Sequence, residues 1–134
     1  MLRQVALALQ EAHEAGLIHR DVKPSNIFAA RRGGMDDVAK LLDFGLVKPA
    51  VTNSSPHSSD EGHILGTPRY MSPEQATGSL PLDARSDIYS LGAVAYFLLT
   101  GRPPFRGTSI LETLDQVKTV HAVVYIFNNI IFVF

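Results

Sequence analysis

Apolar residues at Leu2, Val5, Ala6, Leu9 and Ala12 recur three and four positions apart, which lays one stripe along an amphipathic helix. The spacing predicts that helix over residues 2–17, with Gly16 standing where a left-handed residue would close it. No N-cap residue precedes the stripe, so the helix is entered rather than begun. Short apolar runs at Ile27-Phe28-Ala29 and Val38-Ala39-Lys40-Leu41-Leu42 flank residues 31–37, whose glycines and aspartates supply turn chemistry. Together they read as a β-hairpin. Between Pro49 and Gly62, Ser, Thr, Pro and Asn displace apolar residues, the mark of a mobile loop. From Ile88 to Leu99 the only polar groups are Ser90 and the tyrosine hydroxyls, with Ser86 as the expected N-cap and Gly101-Arg102-Pro103-Pro104 as the stop. A helix apolar all round is expected at the buried centre of a domain. A further helix signal runs from Ile110 to Val120. Neither an internal repeat nor an interdomain linker interrupts the chain.

Composition narrows the partners. A chain of 134 residues, 46% hydrophobic, is long enough for one moderate core. Twelve Lys and Arg against thirteen Asp and Glu leave a net charge of -1, so neither nucleic acid nor an anionic membrane surface is an expected partner. Cysteine is absent, which rules out a disulfide framework and thiolate metal sites. With no secretory signal at the start, a cytoplasmic location is expected. His13, His57, His63 and His121 form no ligand-like cluster and are read as non-metal histidines. The run Val123–Phe134 is apolar apart from Asn128 and Asn129. It falls short of the ~20 residues a membrane span needs and reads instead as strand-like and aggregation-prone.

Four motifs carry chemistry. His19-Arg20-Asp21-Val22-Lys23-Pro24-Ser25-Asn26 follows the first helix, and Asp43-Phe44-Gly45 follows the second strand. Gly66-Thr67-Pro68-Arg69-Tyr70 leads into Ser72-Pro73-Glu74, and Asp83–Gly92 opens the apolar helix. In this order they resemble the catalytic loop, magnesium motif, activation-segment end and central helix of protein kinases. The stretch GTPRYMSPEQA and the later GRPPF resemble the eukaryotic-like serine/threonine kinases of bacteria. The resemblance covers about residues 1–118. It implies an α+β protein-kinase-like fold: the mainly α-helical large lobe with a small β-hairpin, the ATP-gripping N-lobe being absent. Residues 119–134 depart from the family pattern, as a shifted reading frame or misdrawn gene end would make them.

The resemblance also implies roles and cofactors, ATP and Mg2+, with protein substrates as partners. Asp21 would accept the proton of a substrate hydroxyl, and Lys23 would place its charge on the γ-phosphate. Asn26 and Asp43 would give oxygen ligands to magnesium, and Phe28 would lie near the floor of the nucleotide site. Turn aspartates are far commoner than metal ligands, yet loop polarity alone does not demand the whole His-x-Asp-x-Lys-x-x-Asn spacing. Arg20 would pair with a phosphorylated activation loop, for which Thr52, Ser54, Ser55, Ser58 and Ser59 are candidate acceptors. Thr67 would bridge Asp21 and Lys23, and Lys23 with Thr67 marks the serine/threonine class. Glu74 would pair with an arginine of a later helix. Asp87 would accept backbone N–H groups of the catalytic loop, while His19 and Phe44 would pack.

No lysine and no glycine-rich loop precede His19 in these residues. The expected activity of the polypeptide taken alone is therefore low, and a non-catalytic interaction module built on a kinase remnant is the alternative. A small-molecule kinase shares the His-x-Asp loop but not the pattern from Gly66 to Glu74. A longer gene product containing these residues is expected to autophosphorylate between Val47 and Ile64. Phosphopeptide mapping that finds no phosphate in that interval would refute this.

Overall fold

The computed structural model describes residues 1–44, 67–78, 81–119, 125–127 and 130–132. The first apolar stripe becomes α1 (Leu2–Glu14), which buries Val5 and Leu9 against Val22 and Val94. The helix ends before the expected residue 17, because Gly16 adopts φ 76° and turns the chain away. The Gly16 N–H donates to the His13 carbonyl at 2.9 Å and the Leu17 N–H to the Ala12 carbonyl at 2.9 Å. Those are the paired bonds of a Schellman closure, which satisfy carbonyls the helix end would leave bare.

The hairpin forms with longer strands and a tighter turn than the residue pattern suggests. Strand β1 (Ile27–Arg32) pairs antiparallel with β2 (Met35–Leu41), from Ile27 opposite Leu41 to Arg32 opposite Met35, with an irregularity between Ala30 and Arg32. Only Gly33 and Gly34 remain as the loop, at φ 57° and 80°. Two consecutive positive φ values suit a two-residue turn that matches strand twist, and glycine accepts them at no steric cost. Ile27, Ala39 and Leu41 face the core under α1, and the Gln4 amide oxygen accepts from the Ala39 N–H at 2.5 Å.

A short helix, α2 (Pro73–Thr77), follows a 3-10 turn at Pro68–Tyr70 and was not legible from apolar spacing. The apolar segment becomes α3 (Ala84–Thr100), which starts three residues earlier than an N-cap at Ser86 would place it. Its N-cap is Asp83, whose carboxylate accepts from the Arg85 N–H at 2.9 Å, and not Ser86, which lies inside the first turn. Both residue types cap well, and the polar pair Arg85-Ser86 hid the extra turn. Gly101, at φ 74°, closes the helix as expected. Nor is α3 buried all round: Asp87, Ser90, Ala93 and Val94 are enclosed, while Ile88, Leu98 and Leu99 stay 52%, 43% and 59% exposed. Uniform apolarity therefore marks more surface than the described elements cover.

Helix α4 (Ile110–Thr119) packs against α2 and the Pro68–Tyr70 turn and buries Thr113, Leu114 and Val117. Gly107 approaches it so closely that a Cβ would lie 2.6 Å from the Thr113 nitrogen. The apolar tail contributes β3 (Tyr125–Phe127) and β4 (Ile130–Phe132), an antiparallel pair by themselves. No described helix is long and apolar enough to cross a membrane.

Leu9 is fully enclosed whereas Leu111 is 75% exposed. Leu9→Ala should lower the unfolding free energy by about 2–5 kcal/mol and Leu111→Ala by no more than ~0.5 kcal/mol, measured by urea titration.

Candidate active site

The segment His19–Asn26 has no regular structure until its last turn, so side chains must fix its backbone. Asp87, 1% exposed, projects from the first turn of α3 for that purpose. Its Oδ2 accepts from the His19 N–H and its Oδ1 from the Arg20 N–H, both at 2.8 Å. The His13 Nε2 lies 2.8 Å from the same Oδ2, so α1 helps orient the carboxylate. A buried carboxylate is expensive unless satisfied, and these donors satisfy it.

Between these bonds Arg20 adopts φ 67°, a left-handed conformation that costs of order 1 kcal/mol or more for a side chain of its size. Its carbonyl is also held, by the Gln75 Nε2 at 2.7 Å. The His19 ring makes the next links. Its Nε2–H donates to the Leu42 carbonyl at 2.8 Å, and its Nδ1 accepts from the Asp21 N–H at 3.3 Å. A neutral imidazole with its proton on Nε2 makes both bonds. The ring also meets Phe44 edge to face at 4.7 Å between centroids. His19 and Phe44 thus tie the loop to the end of β2.

On this braced backbone the polar side chains converge. The Lys23 Nζ lies 2.5 Å from the Asp21 Oδ2. The Asn26 Nδ2 donates to the Asp21 carbonyl at 2.9 Å and approaches its Oδ2 at 3.4 Å. Asn26 is nearly buried, and the 3-10 turn Pro24–Asn26 presents it. With its amide nitrogen committed to Asp21, its Oδ1 is the atom left to accept. The Leu42 N–H donates to the Asn26 carbonyl at 2.8 Å, which brings Asp43 alongside. Asp43 is exposed and sits at φ 61°.

Among the described residues no group of three or more His, Cys, Asp or Glu side chains could hold a metal. What the site offers is one amide oxygen and one exposed carboxylate, a donor set that suits Mg2+, which keeps most of its water. Phe28 lies on β1 opposite Lys40, 54% exposed, so an apolar surface is open beside the loop.

The activation-segment residues are distributed differently. Thr52, Ser54 and Ser55 lie outside the described residues, as do Ser58 and Ser59. Thr67 engages through its carbonyl, which accepts from the Tyr70 N–H at 3.0 Å. No described hydrogen bond joins its hydroxyl to Asp21 or Lys23. Glu74 accepts from the Ser86 hydroxyl at 2.5 Å, so its described partner is a serine of α3. Burial presses the Glu74 carboxyl upward, but hydrogen bonds from Ser86, its own backbone and Ser72 outweigh it, leaving Glu74 below its ordinary range. Beside it lies an open groove of about 390 Å³ lined by Glu74, Pro81, Asp83, Arg85, Ser86 and Tyr89. Burial first, and the Glu74 charge second, push the Tyr89 hydroxyl up to about 12. The bonds of His13 to Asp87, Gln75 to Arg20 and Ser86 to Glu74 were not foreseen from the sequence. For His13 the available signal was its place four residues after buried Leu9, and for Gln75 its spacing of three from Ser72.

A family model for the protein kinase domain matches residues 1–130. Over 109 residues the chain is 50% identical to the probable serine/threonine-protein kinase PknB of Corynebacterium glutamicum, covering 81% of this chain and 16% of that protein. It is 47% identical over 114 residues to the serine/threonine-protein kinase Pkn1 of Myxococcus xanthus, covering 85% and 16%. It is 46% identical over 109 residues to the serine/threonine-protein kinase PknB of Mycobacterium tuberculosis, covering 81% and 16%. The chain therefore spans about a sixth of the length of these relatives. Matched along nearly its whole length by the family model and similar to named serine/threonine kinases, the chain belongs to the protein kinase domain family.

Proposed function

We propose that the loop His19–Asn26 with Asp43 is the phosphoryl-transfer centre of an ATP- and Mg2+-dependent protein serine/threonine kinase. The carrying observation is the convergence of Lys23 and Asn26 on Asp21, at 2.5 Å and 2.9 Å, over a backbone held by buried Asp87. Each of these residues has a defined task. The Asp21 carboxylate orients the incoming hydroxyl of a Ser or Thr side chain and takes its proton. The Lys23 ammonium has three donors and spends one on Asp21, so the others can reach a phosphate. The Asn26 Oδ1 and the Asp43 carboxylate would hold Mg2+, and Phe28 would give the nucleotide an apolar floor. When bound, magnesium-ATP supplies the transferable phosphoryl group, with its charge neutralised by the metal.

Regulation follows the same chemistry. A phosphate on Thr52, Ser54 or Ser55 would bring about −1.5 to −2 charge, which the Arg20 guanidinium can receive. Arg20 is covalently next to Asp21, so ordering at one is felt at the other. Thr67 and Glu74 would close the segment onto the loop and α3. We assign the kinase portion to residues 1–118 and treat 119–134 as an apolar tail. The substrates are proteins, and the cytoplasm is the proposed location.

Residues 1–134 by themselves hold only the loop and magnesium side of this site. The isolated polypeptide should therefore show little transfer to a generic protein substrate with Mg2+ and ATP, and robust labelling in that assay would overturn this expectation. In a longer active gene product, Asp21→Asn should cut kcat by about 10²–10⁴-fold with folding intact by circular dichroism. Undiminished turnover in that variant would remove Asp21 from the mechanism.

A further inference from the structure

Gln75 does two jobs at once. It is the third residue of α2, and with Ser72 it forms a capping box. Its Oε1 accepts from the Ser72 N–H at 3.0 Å and from the Ser72 hydroxyl at 3.2 Å. The Ser72 Oγ in turn accepts from the Gln75 N–H at 3.4 Å. The box uses only the oxygen of the amide, and a glutamate would serve it equally well. The nitrogen is spent elsewhere: Nε2 donates to the Arg20 carbonyl at 2.7 Å, across 55 positions of sequence. The two ends fix the amide orientation, because a flipped group would set oxygen against the carbonyl and NH2 against the N–H.

The bonded carbonyl belongs to the peptide joining Arg20 to Asp21. The peptide before it is held firmly by Asp87 through the Arg20 N–H at 2.8 Å. The Arg20–Asp21 peptide has two tethers: the Gln75 bond at 2.7 Å on its oxygen and the longer His19 Nδ1 contact at 3.3 Å on its N–H. Rotating that plane changes ψ of Arg20 and φ of Asp21, and so re-aims the Asp21 carboxylate. Arg20 is already in a left-handed conformation, so its neighbours must supply the restraint.

We propose that Gln75 is a positioning residue for phosphoryl transfer: through the Arg20 carbonyl it locks the peptide plane that aims Asp21, and it fastens the end of the activation segment to the catalytic loop. The proposal rests on the reading of Asp21 as the proton acceptor. Gln75 touches neither substrate nor nucleotide, and its effect passes entirely through the Arg20–Asp21 peptide.

Gln75→Glu separates the two jobs, since the carboxylate keeps the cap acceptor but puts an oxygen against the Arg20 carbonyl. Ser72→Ala does the reverse and weakens the cap while sparing the Nε2 bond. In the 134-residue chain, amide hydrogen exchange at Asp21 should quicken about tenfold in Gln75→Glu with Tm unchanged, whereas Ser72→Ala should lower Tm with Asp21 exchange following only that loss. In a longer active gene product, Gln75→Glu should reduce kcat by about 10–100-fold with KM for ATP unaltered, as expected of a misaimed group. Ser72→Ala should leave kcat within about twofold. Unaltered Asp21 exchange in Gln75→Glu overturns the proposal, and so does an unaltered kcat in a product that Asp21→Asn disables. Activity that survives Asp21→Asn would instead sink the role of Asp21, while the exchange rates would still decide whether Gln75 holds the peptide.

Discussion

A single buried carboxylate sets the geometry on which the rest depends. Asp87 lies beneath the loop His19–Asn26 and accepts from two consecutive backbone N–H groups, those of His19 and Arg20. Water cannot substitute at a group 1% exposed, so these bonds exist only if α3 and the loop are both in place. The enclosure that makes the ion expensive also makes the position exact. From that anchor the order passes outward through hydrogen bonds to the loop backbone: the Arg20 carbonyl to the Gln75 side chain, the Asp21 N–H to the His19 ring, and the Asn26 carbonyl to the Leu42 N–H.

Much of this was legible in the residues, and the misses have physical causes. The loop His19–Asn26, the strand end carrying Asp43 and the helix carrying Asp87 are encoded by polar residues at fixed short spacings, which survive without knowledge of the fold. Gly16 and Gly101 were legible because closure by a left-handed residue is a local event. The apolar pattern alone did not reach the start of α3, because Asp83 and Ser86 are equivalent capping types and the cap bond from the Arg85 N–H to Asp83 shows only in the structure. The extent of the hairpin was missed because Asp36 and Asp37 read as turn residues, while the adjacent Gly33-Gly34 pair already completes the reversal. Gln75 and His13 were invisible for the same reason. Each acts on a partner more than fifty positions away, and periodicity reports only on near neighbours.

Apolar surface is unevenly covered among the described residues. The core around Val5, Leu9, Val22 and Val94 is closed and joins α1 to α3 and the loop. The far end of α3 and the start of α4 keep Leu98, Leu99, Ile110 and Leu111 at 43% to 75% exposure. The loop is held from the closed part through Val22, while the far end of α3 stays exposed at Leu98 and Leu99.

Asp43 and Arg20 share a left-handed backbone, at φ 61° and 67°, but not its burden. Aspartate is among the few residues besides glycine that accept this conformation readily, because its short carboxylate bonds locally. Under the role proposed for Asp43, the demand for an anionic oxygen and the demand for a tolerant backbone are met by one amino acid. Mutational drift there is hemmed in twice: asparagine keeps the backbone and loses the charge, glutamate keeps the charge and strains the backbone, and glycine relieves the backbone but leaves no ligand. At position 20 no such coincidence protects the chain, and the burden falls on the hydrogen bonds that surround it.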